Sequence, residues 1–508
     1  MPPTNTPRTA DPTPAASSLA RACTVGRANC SGVVALAILL AGCAQTSEFK
    51  QPPLPVPAQW PASVTAPVTA PVNAPPGVAA DATRPREAVK THWRYFFNDP
   101  RLQALIATAL EQNRDLRAAA ARVEEARAQW GIVRADRLPT VNLLGQASIT
   151  RTQDDLDTSA SNQRFDLTLS TVSYEVDFWG RIAGLSDAAR RAYLSTEEAR
   201  RAVHLSLVSD VATAYYTLLQ MNDLTAMARA TVASREETVA LIIQGRDIGA
   251  TFDFELEQSQ GLLESSRANL AALDHQRTVA TNLLNYLVGG EPVDLPAGKP
   301  LDQQGLDTAL TPGVPGEVLL QRPDVMAAEQ RLIAAHANID AARAAFLPKI
   351  LLTAGVGAAS SGLSSLFKAG AWAFQPVISL PIFDGGRTEG NLDVAKARKV
   401  VAVADYEKTI QLAFREVADQ LSARASLASQ MRSSQVNLKA QQRRLQISRA
   451  RYDGGMTGYL EVLESEREVV AAQQVNTQVR RAQLEAAALL YKALGGGTQG
   501  NETTLSAR

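Results

Sequence analysis

The chain has 508 residues, with 51 basic and 51 acidic side chains and no formal net charge. A nucleic-acid binder carries a basic surplus, so that class is excluded. Aromatic residues make up only 5 % while alanine is abundant, which suits long, closely packed helices better than one broad globular core.

Residues 1–42 read as a signal peptide of the lipoprotein type. Arg21 and Arg27 precede the apolar stretch Val33 to Leu40, which is too short for a permanent membrane helix. Leu40-Ala41-Gly42-Cys43 resembles a bacterial lipobox, which implies cleavage before Cys43 and acylation there. Ala44 follows rather than Asp, which favours sorting to the outer membrane. The mature chain then holds Cys43 alone, so neither an internal disulfide nor a cysteine metal site is expected. Residues 43–90 read as a lipid-anchored tether. Ten of the 26 prolines fall between Gln51 and Pro85, and no packed element is expected there.

The folded part opens at His92 to Pro100. Helical periodicity runs from Leu102 to Arg137 and stops at Pro139. A first strand, 140–151, alternates Val141, Leu143, Ala147 and Ile149 with polar residues. After a polar loop comes a second strand, 164–177. Its apolar phase slips between Leu169 and Val172, which predicts a bulge or a turn from one environment into another. From Leu185 to Gln244 there are 60 residues without Gly or Pro, about 90 Å as a single helix. A turn and a return helix, Phe254 to Val288, complete a first unit, 91–290. After a linker, 291–316, the pattern recurs over 317–497: helix Val318 to Phe346, strands 349–359 and 371–383, a 63-residue Gly- and Pro-free run from Asn391 to Asp453, and a return helix Tyr459 to Leu494. Residues 498–508 are a tail.

The recurrence is a duplication. Asn113 to Val141 realigns on Arg322 to Ile350 with ten of 29 positions identical, at an offset of 209. Further on the offset is 206: Gly249 matches Gly455, Glu255 matches Glu461, and Gly289-Gly290 matches Gly495-Gly496. Each copy supplies two strands of membrane-spanning length. In lipid only a closed barrel satisfies the backbone, and barrels begin at about eight strands. Four strands cannot close, so several chains must share one barrel. A small soluble sheet capping a helical bundle is the alternative. The long helices must pack side by side in coiled-coil style.

Phe97-Asn98-Asp99-Pro100-Arg101-Leu102, Asn113-Arg114-Asp115-Leu116, Gln321-Arg322-Pro323-Asp324-Val325, Leu380 to Arg387 and Ala450 to Gly455 together resemble TolC-like outer-membrane factors, nearest their NodT/OprM-like lipoprotein branch. The resemblance spans Trp93 to about Gly497. It implies a mainly α fold with a membrane β-barrel. Three identical chains would form a 12-stranded barrel in the outer membrane and a 12-helix α-barrel crossing the periplasm. It also implies a periplasmic adaptor and an inner-membrane transporter of RND type as partners, outer-membrane lipids around the barrel, and export of drugs or other toxic small molecules through a passive duct.

The same resemblance points to the far end of the rods. Glu461 and Glu464 share a helix face and would line a periplasmic gate, with Leu460 adding an apolar constriction. Six carboxylates from three chains would favour cations. Glu255 and Tyr452 match a latch pair. The family's latch arginine falls on Thr457, with Arg451 or Arg246 as substitutes. The turns bearing Gly249, Thr251, Gly455 and Thr457 are candidate adaptor contacts. The second copy is expected to form the inner, gating hairpin.

No enzyme is indicated. The four histidines lack ligand spacing, and there is no P-loop, no G-x-S-x-G and no dinucleotide fingerprint. No cofactor is expected beyond the lipid on Cys43. The rival readings are the duct of a protein-secretion system, which the lipid anchor disfavours, and a non-channel periplasmic coiled-coil lipoprotein.

Overall fold

The computed structural model describes residues 49–61, 86–153, 159–248, 252–292, 294–305, 310–311, 313–368 and 370–498. The signal segment, Cys43, Gly249 and Thr251 lie outside the described residues. The chain divides into a β unit, Asn142–Arg181 with Arg343–Ile382, and a helical unit, Lys50–Val141 with Ile182–Ala342 and Phe383–Arg508.

The β unit holds one antiparallel sheet in the order β2-β3-β5-β6. Its strands are β2 (Asn142–Gln153), β3 (Ser159–Val176), β5 (Lys349–Ser360) and β6 (Gly370–Ser379). Of the loop expected from Gln153 to Gln163, Gln153 and residues 159–163 are strand, and β6 stops before Pro381, which has no N–H for a ladder. The predicted bulge is present: the β3–β5 register shifts between Thr171 and Tyr174, and Ser173 has φ 54°. The bulge restores the phase. Leu169 lies opposite Val356 above it and Tyr174 opposite Leu352 below it, so Phe165, Leu167 and Leu169 continue into Tyr174 and Val176 on one face. Leu143 pairs with Leu169, and Val356 with Trp372, which extends that face across all four strands. Among the described residues β2 and β6 each have one partner, so both edges of the sheet are open. Trp179 Nε1 donates to the Pro348 carbonyl at 2.7 Å and joins the ends of the two copies' strand pairs.

In the helical unit a two-residue parallel pairing, β1 (Arg86–Glu87) with β4 (Leu310–Thr311), closes the start of the fold on the linker. Short α1 (Trp93–Phe96) follows. The single helix expected from Leu102 to Arg137 is two, α2 (Pro100–Gln112) and α3 (Arg114–Ala135). Asn113 breaks it: its side chain accepts from Leu116 N at 2.9 Å and donates to the Leu287 carbonyl at 2.8 Å, an N-cap that also ties down the return helix. The second copy breaks at the same place, between α6 (Pro315–Leu320) and α7 (Pro323–Ala344). There Arg322 Nη1 donates to the Ala493 carbonyl at 2.9 Å, the counterpart of Leu287, and its guanidinium also pairs with Asp324 and Glu416 at 2.7 Å each.

The long helices exceed the expected runs. α4 (Arg181–Asp247) and α8 (Arg387–Asp453) are 67 residues each, and the return helices α5 (Asp253–Val288) and α9 (Tyr459–Ala493) are 36 and 35. Among the described residues no helix is long and apolar enough to cross a membrane. Leu224, Ala228 and Leu273 form a buried seam between α4 and α5.

Phe96, Phe97, Tyr215, Tyr216 and Tyr491 are all fully buried. Phe96 stacks on Tyr491 at 4.6 Å, and Tyr491 donates to the Thr91 carbonyl, so the end of the fold closes on its beginning. Asp99, 1 % exposed, accepts from Arg101 N, Tyr215 OH, Lys299 N and Gln304 Nε2. That single carboxylate caps α2 and pins α4 and the linker to it.

Part of the Pro-rich segment departs from expectation. Residues 50–61 belong to the helical unit and lie on it as a strap. The Gln51 amide donates to Tyr406 OH at 2.8 Å. Trp60 is 7 % exposed, stacks on Phe414 at 4.9 Å and donates to the Gly313 carbonyl at 2.9 Å. Proline lowers the entropy lost when such a segment is ordered, and one large aromatic side chain supplies the burial.

Candidate functional site

The second hairpin turns between α8 and α9 at Gly454 to Gly458. Gly455, at φ 70°, permits the reversal, and Met456 N returns to the Arg451 carbonyl at 2.8 Å. Glu461 is in the first turn of α9, where a carboxylate complements the helix dipole. It faces back into its own hairpin. The Thr457 hydroxyl donates to Oε2, Arg451 Nη1 to Oε1 at 3.0 Å, and Ser448 Oγ to Oε1 at 3.4 Å. One turn on, Ser465 donates to the Glu461 carbonyl at 2.8 Å and meets Ser448 at 3.0 Å in a buried contact. This network holds the Glu461 carboxyl below the usual carboxylate range, the Thr457 hydroxyl first and the Arg451 guanidinium after it.

Glu464 is exposed and pairs with Arg467 at 2.9 Å; Leu460, 58 % exposed, projects beside it. Each candidate gate carboxylate thus has an arginine in its own chain, which tempers the mutual repulsion expected from the sequence. Thr457, standing where the resemblance puts a latch arginine, is hydrogen-bonded to Glu461 itself. Arg451 takes the cationic role there. Arg246 lies in the other hairpin, 3.5 Å from Asp247 and 4.0 Å from Asp253.

Glu255 and Tyr452 are not joined by a hydrogen bond among the described residues. Glu255 reaches back to Phe252 N at 3.5 Å at the start of α5, and the Tyr452 ring lies 5.1 Å from that of Tyr459. Sequence reasoning missed Ser448, Ser465 and Tyr459. The spacing Glu461 to Ser465, one helical turn, was the available signal for the first pair. Among the described residues no group of three or more His, Cys, Asp or Glu could hold a metal ion.

A family model for outer membrane efflux proteins matches residues 105–290 and 314–496, once for each copy of the duplication. The chain is 41 % identical to the toluene efflux pump outer membrane protein TtgF of Pseudomonas putida over 470 residues, covering 91 % of this chain and 96 % of that protein. It is 39 % identical to the cation efflux system protein CusC of Escherichia coli over 465 residues, covering 91 % and 98 %. A crystal structure of CusC superposes with TM-score 0.75 at 38 % identity, covering 89 % of this chain and 99 % of that one. The open state of the Neisseria gonorrhoeae MtrE outer membrane channel superposes at 0.79 and 36 % identity, covering 90 % and 99 %. The fold is that of trimeric outer-membrane channels, with the duplication built in. The chain belongs to the outer membrane efflux protein family and is an outer-membrane channel of efflux pumps.

Proposed function

We propose that three copies of this chain close a 12-stranded barrel in the outer membrane and conduct toxic small molecules outward as a passive duct. A periplasmic adaptor and an inner-membrane transporter of RND type would deliver the cargo and the energy. The carrying observation is the four-stranded sheet with an apolar face and two open edges, β2 and β6. Open edges cannot persist in lipid, and joining β6 of one copy to β2 of the next removes all of them.

The second hairpin would form the periplasmic entrance, with Glu461 and Glu464 lining it and Leu460 narrowing it. Glu255, Tyr452, Arg451 and Arg246 remain the latch candidates, and the turns at Gly249–Thr251 and Gly455–Thr457 the adaptor contacts. Acylation of Cys43 would hold each chain at the membrane. Relatives named for toluene and for cation efflux fit a duct whose cargo is chosen by its pump. The test is the full-length protein extracted in mild detergent and added to a planar bilayer. Trimers that resist mild heat and conduct ions are expected; a monomer without conductance would overturn the reading.

A further inference from the structure

The four-stranded sheet has two faces, and charge on the second is confined to two levels. The apolar face carries Phe165, Leu167, Leu169, Val356 and Trp372. On the opposite face, among the strand residues whose side chains are described, the charged ones are Arg164, Asp166, Glu175 and Lys349. Lys349 and Glu175 lie at the end where the chain enters from α7 and leaves into α4, and Glu175 is paired with Arg181 at 2.7 Å. Asp166 is nine residues from Glu175 along β3, about 27 Å once the bulge is allowed for. Between the two levels the same face presents Thr168, Ser170, Gly355, Gly357, Ala371 and Ala373.

Arg164 and Asp166 are one strand period apart and stand side by side on that face. Arg164 Nε donates to both Asp166 oxygens, at 2.9 and 2.8 Å. The Arg164 side chain is 69 % exposed and that of Asp166 only 18 %, so the charge left open to solvent is the cation, aimed by a carboxylate that it covers. Phe165 pairs with Ser360, the last residue of β5, which puts Arg164 just past the end of that ladder, at the rim. The second copy has no counterpart. At every offset from 206 to 209, Arg164 falls on Gly370, Ala371, Trp372 or Ala373, and Asp166 on Trp372, Ala373, Phe374 or Gln375. Each chain therefore carries one such pair, and three chains carry three.

We propose that Arg164 determines specificity at the outer mouth of the channel: held inward by Asp166, it lets anionic solutes out and holds cations back. The proposal rests on the reading of the sheet as one third of a closed barrel, whose apolar face meets lipid and whose other face lines the lumen. Twelve strands about 4.8 Å apart and tilted about 40° enclose a radius of about 12 Å, which leaves the side-chain charges about 10 Å from the axis. In about 10 mM salt the screening length is about 30 Å, and three charges at that distance change the local concentration of a monovalent ion about threefold. A guanidinium with its terminal nitrogens turned to solvent also suits the paired oxygens of carboxylates and phosphates.

The experiment is the reversal potential of full-length trimers in planar bilayers across a potassium chloride gradient at low salt. Arg164→Gln, which uncovers Asp166, should raise the cation-to-anion permeability ratio about threefold or more, and Asp166→Asn should lower it by a similar factor. Both effects should fade in about 1 M salt, where the screening length is about 3 Å; a change of fold or packing would persist there. In Arg164→Cys, a thiol reagent that adds a positive charge should restore the wild-type ratio, and one that adds a negative charge should raise it further. The aspartates between β2 and β3, Asp154, Asp155 and Asp157, are common to all variants, so differences between variants report on the pair. Wild-type trimers that conduct while both variants keep the wild-type ratio at low salt would overturn the assignment and leave the channel standing. Shifts of the same sign in both variants, or shifts that salt does not screen, would also overturn it. Wild-type trimers that never conduct would overturn the channel reading and this assignment with it.

Discussion

Replacing Trp60 by alanine should release the strap. The indole is 93 % buried, counting from its 7 % exposure, and lies against Phe414. Burial of about 200 Å² of aromatic surface at about 25 cal/mol per Å² comes to about 5 kcal/mol, in line with the about 3–5 kcal/mol that Trp→Ala costs in packed sites. Ordering the strap costs about 1 kcal/mol or more per residue. What remains after the substitution, the Gln51–Tyr406 bond and the half-buried Leu54, Pro55 and Val56, cannot offset that. At about 1.4 kcal/mol per tenfold, release of the strap should become at least about 100 times more frequent. Cleavage of the folded trimer by trypsin after Lys50 reads this out, because proteolysis follows the population of the open form when reclosing is fast. Gln51→Ala, which removes one neutral hydrogen bond, should accelerate cleavage by about tenfold or less. If Trp60→Ala leaves the cleavage rate within about threefold of wild type, the strap is not held by its tryptophan and the reasoning fails.

Thr457→Val removes the largest influence holding the Glu461 carboxyl down, so that group should titrate at higher pH. The native carboxylate keeps its charge as the medium is acidified and loses it only below the ordinary carboxylate range. The variant's preference for cations, read as a reversal potential across a salt gradient, should therefore fade at higher pH than wild type; coincident titrations would refute the assignment. Asp99→Ala strands the Tyr215 hydroxyl, 2 % exposed, at about 1–3 kcal/mol, and leaves the Gln304 amide only its bond to the Lys299 carbonyl, with about 1 kcal/mol more for the lost cap. The temperature at which trimers dissociate should fall clearly further for Asp99→Ala than for Asp99→Asn, whose amide oxygen still accepts. Gly289 has φ 95°, and a Cβ there would lie 2.7 Å from the Gln112 carbonyl oxygen, whereas one on Gly290 meets nothing within 4 Å. Gly289→Ala should cost about 1–2 kcal/mol or more and Gly290→Ala next to nothing, compared by the same dissociation assay.

The sequence carried the local features well. The slip between Leu169 and Val172 predicted a bulge, because strand periodicity is strict enough that one extra residue shows. The long helices were visible as runs free of Gly and Pro, and their true ends lie only a few residues further out. The break at Asn113 was hidden because apolar spacing continues across it; what ends the helix there is a side-chain bond to a carbonyl 174 residues away, whereas at Arg322 the following Pro323 was the available signal. The strap was hidden for the same reason as the break at Asn113. Composition describes residues 51–61 as a tether, while Trp60 finds its partners at Gly313 and Phe414. At the turn, the loss of a latch arginine at Thr457 was legible as a departure from the family. That the threonine would bond to Glu461, and that the Tyr459 phenol would reach across to Thr238 at 3.1 Å, depended on how the two hairpins face each other.

The equal rods constrain how this protein can change through evolution. α4 and α8 each have 67 residues, and the hydrogen bond between the Thr238 and Tyr459 hydroxyls requires the two hairpins to end at compatible heights. One extra turn in a single copy would move its tip by about 5.4 Å, enough to carry one hydroxyl past the other. Reach can therefore lengthen or shorten only by paired insertions or deletions, one in each copy. A lineage that needed a longer duct would show the same indel twice, 206 positions apart.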